Sequence, residues 1–166
     1  MRKARRAELD PKDATDPKRA RMAAVALLAR RDFCSGELRQ RLEADGYSSD
    51  LAAETVAELV EGKIVNDARY AENYVTYRAN RGQGPLRIAA DLKALDLPSE
   101  VIQTALDSGP DWRQKAHEVR IRRFGLEDPE TWADKAKQGR FLQYRGFSSD
   151  HIRAALDGDF DPDGEP

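Results

Sequence analysis

Apolar positions along this chain recur at helical spacing, and no segment sustains the polar/apolar alternation of a strand. Leu38 and Leu42 share one helical face. So do Leu51, Ala52, Val56 and Leu59, and further apolar runs follow: Leu86, Ile88 (or Ala89), Leu92 and Leu95, then Val101, Ile102 and Leu106. Polar, glycine and proline residues between these runs predict nine helices. The first runs from Lys18 to Arg31 and stops near Asp32-Phe33-Cys34. Ser35 is placed to cap the second, which ends at Gly46, and Ser48 or Ser49 caps the third, which Gly62 ends. Asn66 caps a fourth helix from Asp67 to Asn80. Gly82-Gln83-Gly84-Pro85 then breaks the chain, and Pro85 suits the first turn of a fifth helix, where its missing N–H would be unpaired anyway. Ser99 starts the sixth, Trp112 to Phe124 forms the seventh, Asp128-Pro129 opens an eighth that reaches Arg145, and Ser149 opens a short ninth.

The punctuation is periodic. Gly46-Tyr47-Ser48-Ser49-Asp50 returns 50 positions later as Asp96-Leu97-Pro98-Ser99-Glu100 and again as Gly146-Phe147-Ser148-Ser149-Asp150. Leu42, Leu92 and Leu142 precede it, and Val56, Leu106 and Leu156 follow it. Short helices cannot each bury an apolar stripe alone, so copies of one unit must stack. The expected fold is all-α: an elongated, curved array of three tandem three-helix repeats over residues 18–65, 66–109 and 110–157. A flexible basic arm (1–17) precedes it and an acidic tail (158–166) follows. Such an array offers a long surface to a polymer rather than a deep pocket to a small molecule.

Charge sharpens that picture. The net charge is −2, but residues 110–156 carry ten Lys/Arg against seven Asp/Glu, while residues 23–67 carry five against nine. The molecule is polarised along its length. Its single cysteine, Cys34, has no internal disulfide partner, which fits a cytoplasmic protein. The longest apolar run, Met22–Ala29, is too short to span a bilayer, and the basic start reads as no signal peptide.

Catalytic chemistry finds little support. His117 and His151 lie in different repeats, and no paired-cysteine, H-E-x-x-H or G-x-S-x-G pattern occurs. Gly82-Gln83-Gly84 lacks the Gly-Lys-Ser/Thr of a phosphate loop. Asp67, Glu72 and Asp91 can be drawn as a metal cluster, but acidic residues in a first helical turn already have a role, complementing the helix dipole. Neither metal nor cofactor is expected, and Cys34 reads as a small buried residue. Tyr70, Tyr74 and Tyr77 form a stripe that is either core or a half-wet rim. Arg78, Arg81 and Arg87 border it. Arg120, Arg122 and Arg123 crowd the end of the seventh helix, with Arg140 and Arg145 on the eighth. Guanidinium pairs in bidentate fashion with phosphate or carboxylate, so these eight arginines are the candidate contacts to an anionic partner.

Two stretches carry a family resemblance. One is Leu28-Ala29-Arg30-Arg31-Asp32-Phe33-Cys34-Ser35-Gly36-Glu37-Leu38-Arg39-Gln40-Arg41-Leu42. The other is Asn66-Asp67-Ala68-Arg69-Tyr70-Ala71-Glu72-Asn73-Tyr74-Val75 with Arg78 and Arg81-Gly82-Gln83-Gly84-Pro85-Leu86-Arg87-Ile88. Over about residues 20–157 the chain resembles the RecX family, modulators of the RecA recombinase. That resemblance implies a monomeric, non-enzymatic regulator in the groove of the RecA–single-stranded-DNA filament, inhibiting strand exchange and ATP hydrolysis, with at most weak direct DNA binding. The family often places a lysine-glycine-isoleucine turn where Leu95-Asp96-Leu97 stands here. The turn is expected to form here without the basic group that a lysine would supply. A stand-alone DNA-binding module of helix-turn-helix-like pairs is the alternative, though an overall pI near 5.8 argues against tight independent duplex binding.

Overall fold

The computed structural model describes residues 13–156. The first twelve residues of the expected arm, and the expected tail, lie outside the described residues. Among the described residues a short 3-10 turn (Asp13–Thr15) precedes nine α-helices and there is no strand. The helices are α1 Pro17–Leu28, α2 Ser35–Ala44, α3 Ser49–Glu61, α4 Asp67–Asn80, α5 Pro85–Ala94, α6 Ser99–Asp107, α7 Trp112–Phe124, α8 Trp132–Arg145 and α9 Ser149–Ala155.

Helix ends follow side-chain chemistry. Asp16 accepts the Lys18 N–H at 2.9 Å, Ser48 the Leu51 N–H, Asp111 the Arg113 and Gln114 N–H groups, and Thr131 the Asp134 N–H. Each satisfies a donor the helix itself leaves open. Three expectations need correcting. α1 begins at Pro17 and ends at Leu28, because Asp16 caps it and Ala29 closes its last turn. α8 starts at Trp132 rather than at Asp128-Pro129. Thr131 is its cap, while Glu127 and Asp128 are engaged with Arg120. Ser35 does not cap α2; Cys34 holds that position without a side-chain bond. Asp67 does the work instead. Its carboxylate accepts the Ser35 N–H at 2.7 Å and the Ser35 hydroxyl, so the first residue of α4 neutralises the positive end of α2.

The residues pack as two compact units. One comprises the chain up to Tyr70 together with Leu95–Leu97; the other comprises Ala71–Ala94 and the chain from Pro98 onward. In the first, Leu38, Leu42 and Leu59 are fully buried with Ala20, Ala24 and Val56. In the second, Leu142, Phe147, Ile152 and Leu156 gather with Ala116 and Val119. Every Leu of the 42/92/142 series is at 0% exposure. Burying one such side chain contributes about 1.5–3 kcal/mol.

The repeated turn has one backbone requirement in all three copies. Gly46, Asp96 and Gly146 have φ of 105°, 63° and 93°. Glycine takes this left-handed conformation at no steric cost, and Asp is among the few others that tolerate it. The middle turn therefore forms without glycine, and Arg39 holds the Asp96 carboxylate at 2.6 Å.

Candidate functional site

The motif around Gly84 is a docking element. The Gly84 N–H donates to the Arg145 carbonyl at 2.8 Å and the Leu86 N–H to the Gly146 carbonyl at 3.0 Å. The open N–H groups at the start of α5 are thus satisfied by the end of α8. A Cβ on Gly84 would collide with the Gly146 backbone, and one on Gly146 with Arg87. The first unit holds a matching contact between the start of α2 and the turn after α5. There a Cβ on Gly36 would strike the Leu95 carbonyl, and the Cys34 thiol lies 3.7 Å from that same oxygen. Burial pushes the Cys34 thiol up to about 11, so it is an unreactive packing group.

Docking α5 on the end of α8 brings the second and third repeats' arginines together. Arg81, Arg122, Arg123 and Arg145 rim a hollow of about 110 Å³ floored by Gly82, Val119 and Phe141. Three of these arginines are held by rings. Arg145 lies 5.2 Å from the Phe141 centroid and Arg123 5.5 Å from that of Phe124, and the two rings meet edge to face at 5.3 Å. Arg81 sits 5.5 Å over Tyr77 and donates to its hydroxyl at 2.9 Å. Arg87 sits 5.7 Å from the exposed Tyr144 ring. A ring face attracts a cation without neutralising it. No carboxylate among the described residues lies in ion-pair distance of Arg81, Arg87, Arg122, Arg123, Arg140 or Arg145.

Two predicted contacts are placed differently. Arg78 donates to the Tyr74 hydroxyl at 2.6 Å, and Tyr74 and Arg78 both reach Asp91, at 3.2 and 3.3 Å. Its charge is already matched, and the Tyr74 hydrogen bond raises its affinity for the proton. Burial raises the Tyr74 phenol, so the hydroxyl stays neutral. Arg120 leaves the candidate surface. It is 1% exposed, and it donates to the Glu127 carbonyl at 3.1 Å and the Asp128 carboxylate at 2.9 Å. Its role is to fix the turn between α7 and α8. Arg140 is exposed but does not line the hollow.

The tyrosine stripe divides accordingly. Tyr70 and Tyr74 are half-buried, and Tyr77 is 56% exposed as a shelf for Arg81. Sequence reasoning missed Phe124 and Phe141 as arginine supports, and missed the hollow. Its trace in the sequence is an offset of 60: Gly36 faces Asp96, and Leu86 faces Gly146. No three His, Cys, Asp or Glu converge as a metal site among the described residues, and no helix there is long and apolar enough to cross a membrane.

Comparison with known proteins agrees with this architecture. Residues 20–59, 66–106 and 111–156 match the family models for the first, second and third three-helix domains of RecX. Regulatory protein RecX of Stenotrophomonas maltophilia (strain R551-3) is 40% identical over 154 residues, covering 92% of this chain and 91% of its own. Regulatory protein RecX of Halorhodospira halophila is 40% identical over 136 residues, covering 81% and 84%. The crystal structure of RecX from Lactobacillus salivarius superposes with a TM-score of 0.73 at 22% identity, over 87% of this chain and 95% of that one. Three three-helix domains, the two quoted motifs and these identities place the chain in the RecX family of regulatory proteins.

Proposed function

We propose that this protein binds the RecA–single-stranded-DNA filament and inhibits strand exchange and ATP hydrolysis. One observation carries the reading: six arginines of the second unit have no carboxylate within ion-pair distance, and four of them rim one hollow. An unpaired guanidinium loses only water on meeting an anion. A ring beneath it limits the rotamers it must give up. The surface therefore suits the phosphates of a strand or the acidic patches of a recombinase subunit. On the filament Arg81, Arg87, Arg122, Arg123, Arg140 and Arg145 make these contacts, and Arg78 positions its neighbours through Tyr74. Engaging more than one subunit hinders the interface motion that hydrolysis and filament growth require.

The test is a titration into RecA ATPase on single-stranded DNA. Progressive inhibition at low micromolar protein is expected. An unchanged rate would sink the proposal. A gel shift without recombinase, at physiological salt, separates this reading from a stand-alone DNA-binding module, which would give tight, sequence-dependent retardation.

A further inference from the structure

Exposed aromatic rings are distributed unevenly between the two units. In the first unit the large apolar side chains left in water are the aliphatic Met22, Val25, Val60 and Ile64, while Phe33 and Tyr47 are buried. In the second unit Tyr77, Trp132 and Tyr144 are 56%, 46% and 77% exposed. A ring left in water gives up the burial that ordinarily stabilises it, so these three contribute little to the core. Two of them adjoin the arginine hollow. The Tyr77 hydroxyl accepts from the rim residue Arg81, and Tyr144 immediately precedes the rim residue Arg145. The Tyr144 ring carries Arg87, which comes from α5 rather than from its own helix.

We propose that Tyr77 and Tyr144 are stacking platforms for the bases of a single nucleic-acid strand whose phosphates enter the adjoining arginine hollow. This rests on reading the hollow as an anion-binding surface, and it names the anion: a strand with unpaired bases rather than an acidic protein face. Chemistry is one argument. Guanidinium alone recognises carboxylates, and an exposed phenol ring adds nothing to that contact. A nucleobase, whatever its identity, stacks on such a ring. Arg87 covers one side of the Tyr144 ring, and at 77% exposure the other side is open to solvent. Size is a second argument. A hollow of about 110 Å³ has roughly the volume of three to four waters, which suits the oxygens of one phosphate and leaves the base outside, where the rings are. Charge is the third. Arg81, Arg123 and Arg145 have no carboxylate within ion-pair distance among the described residues. Arg122 interacts with Glu118, but the ion pair of Glu118 is with Lys115 at 2.8 Å, so the rim keeps a net positive charge. A duplex offers the same phosphates, but its bases are already stacked on one another and cannot use the platforms. Trp132 provides the internal control. It stands at the far end of α8, about 18 Å along the axis from Tyr144, and no arginine lies over its ring among the described residues.

The experiment follows the anisotropy of two labelled strands of equal length, oligo(dT) and an abasic strand with the same phosphates and no bases. The full chain should bind oligo(dT) about fivefold or more tighter than the abasic strand. Tyr77→Ala/Tyr144→Ala should remove most of that difference and leave abasic binding within about twofold. Tyr77→Phe/Tyr144→Phe keeps both rings and should keep the difference, as should Trp132→Ala. Arg122→Glu/Arg123→Glu should weaken both strands together and flatten the dependence of affinity on salt, a slope the tyrosine variants leave unchanged. Equal binding of the two strands by the full chain would overturn the proposal. So would a difference that survives Tyr77→Ala/Tyr144→Ala, or one that the Phe variant loses as completely as the Ala variant. Retention of neither strand at low salt would overturn it as well. In each of these cases the RecA ATPase titration stands apart: inhibition that persists keeps the filament reading without base stacking, and its absence ends both.

Discussion

In the first unit Arg21, Arg31, Arg39 and Arg41 each meet a carboxylate, Glu58 at 3.3 Å, Glu37 at 2.7 Å, Asp96 at 2.6 Å and Asp45 at 3.3 Å. Even Arg31, 3.7 Å from the Phe33 centroid, is held in bidentate fashion by Glu37. In the second unit Arg81, Arg87, Arg123 and Arg145 lie over rings with no such acid. The helical framework is the same. Leu42 and Leu142 occupy equivalent positions at 0% exposure, and a glycine lets one helix start touch the next turn in both. Exposed ion pairs contribute about 0–1 kcal/mol each, so the first unit's pairs add little stability. What they do is remove positive charge from the surface. Among the described residues Arg30 and Arg69 of the first unit have no such pair, and Arg78, Arg120 and Arg153 of the second unit do, so the difference is one of proportion, and it lies in which residues stand opposite each arginine.

The strongest test addresses the shared framework. Gly84→Ala should cost about 2–4 kcal/mol and Gly36→Ala a similar amount, read as urea midpoints, since each places a methyl inside a neighbouring backbone. A loss under about 1 kcal/mol for Gly84→Ala would show that this contact does not hold the second unit together. Arg120→Ala should cost about 3 kcal/mol by opening a hole and freeing the Glu127 carbonyl and the turn it holds, while Arg120→Met keeps most of the packing and retains RecA inhibition. Equal loss of inhibition in both folded variants would return Arg120 to the binding surface.

Charge reversal probes the difference between the units directly. Arg122→Glu/Arg123→Glu should weaken filament inhibition by on the order of tenfold or more, whereas Arg31→Glu/Arg39→Glu should leave it within about twofold. The reverse ranking would move the contact surface to the first unit. A smaller effect concerns pH. Burial, aided by Arg113, holds the His151 imidazole below its ordinary 6.5, and its Nδ1 accepts the Ser148 N–H at 3.3 Å in the cap of α9. As pH falls through 6.5 the unfolded chain takes up that proton first, so stability drops, and it is fully present above that value. Urea midpoints between about pH 5.5 and 7.5 should show the slope in the wild type and a flatter line in His151→Gln. The first unit has no histidine, so its amides should exchange independently of this titration. The smallest change is expected for Asp96→Gly. Relief of a left-handed aspartate offsets loss of the exposed Arg39 pair, leaving stability within about 1 kcal/mol by thermal melting.

Much of the fold was legible. Leu42, Leu92 and Leu142 at 50-residue spacing mark the same buried position, and Asn66 caps α4 through the Arg69 N–H at 3.0 Å, as its place before Asp67 suggests. Boundaries were less so. Gly62 ends α3, yet the left-handed residue is Lys63, and α8 opens three residues after Pro129 because Thr131 and not Asp128 caps it. The candidate site was legible as a set of arginines and no further. Arg120 and Arg122 look alike in sequence, but one points into the third repeat and the other to its rim.

Periodicity decides which residues are helical and which face is apolar, because both follow from a local repeat of 3.6 residues. The 50-residue return of one turn then sets the number of repeats. Which cations are neutralised depends on carboxylates and rings brought close from distant positions, such as Asp96 to Arg39. Gathering Arg81 with Arg122, Arg123 and Arg145 required the close approach of Gly84 to Gly146. Coulombic and ring contacts act over a few ångströms of space regardless of separation along the chain, so only the folded packing could assign them.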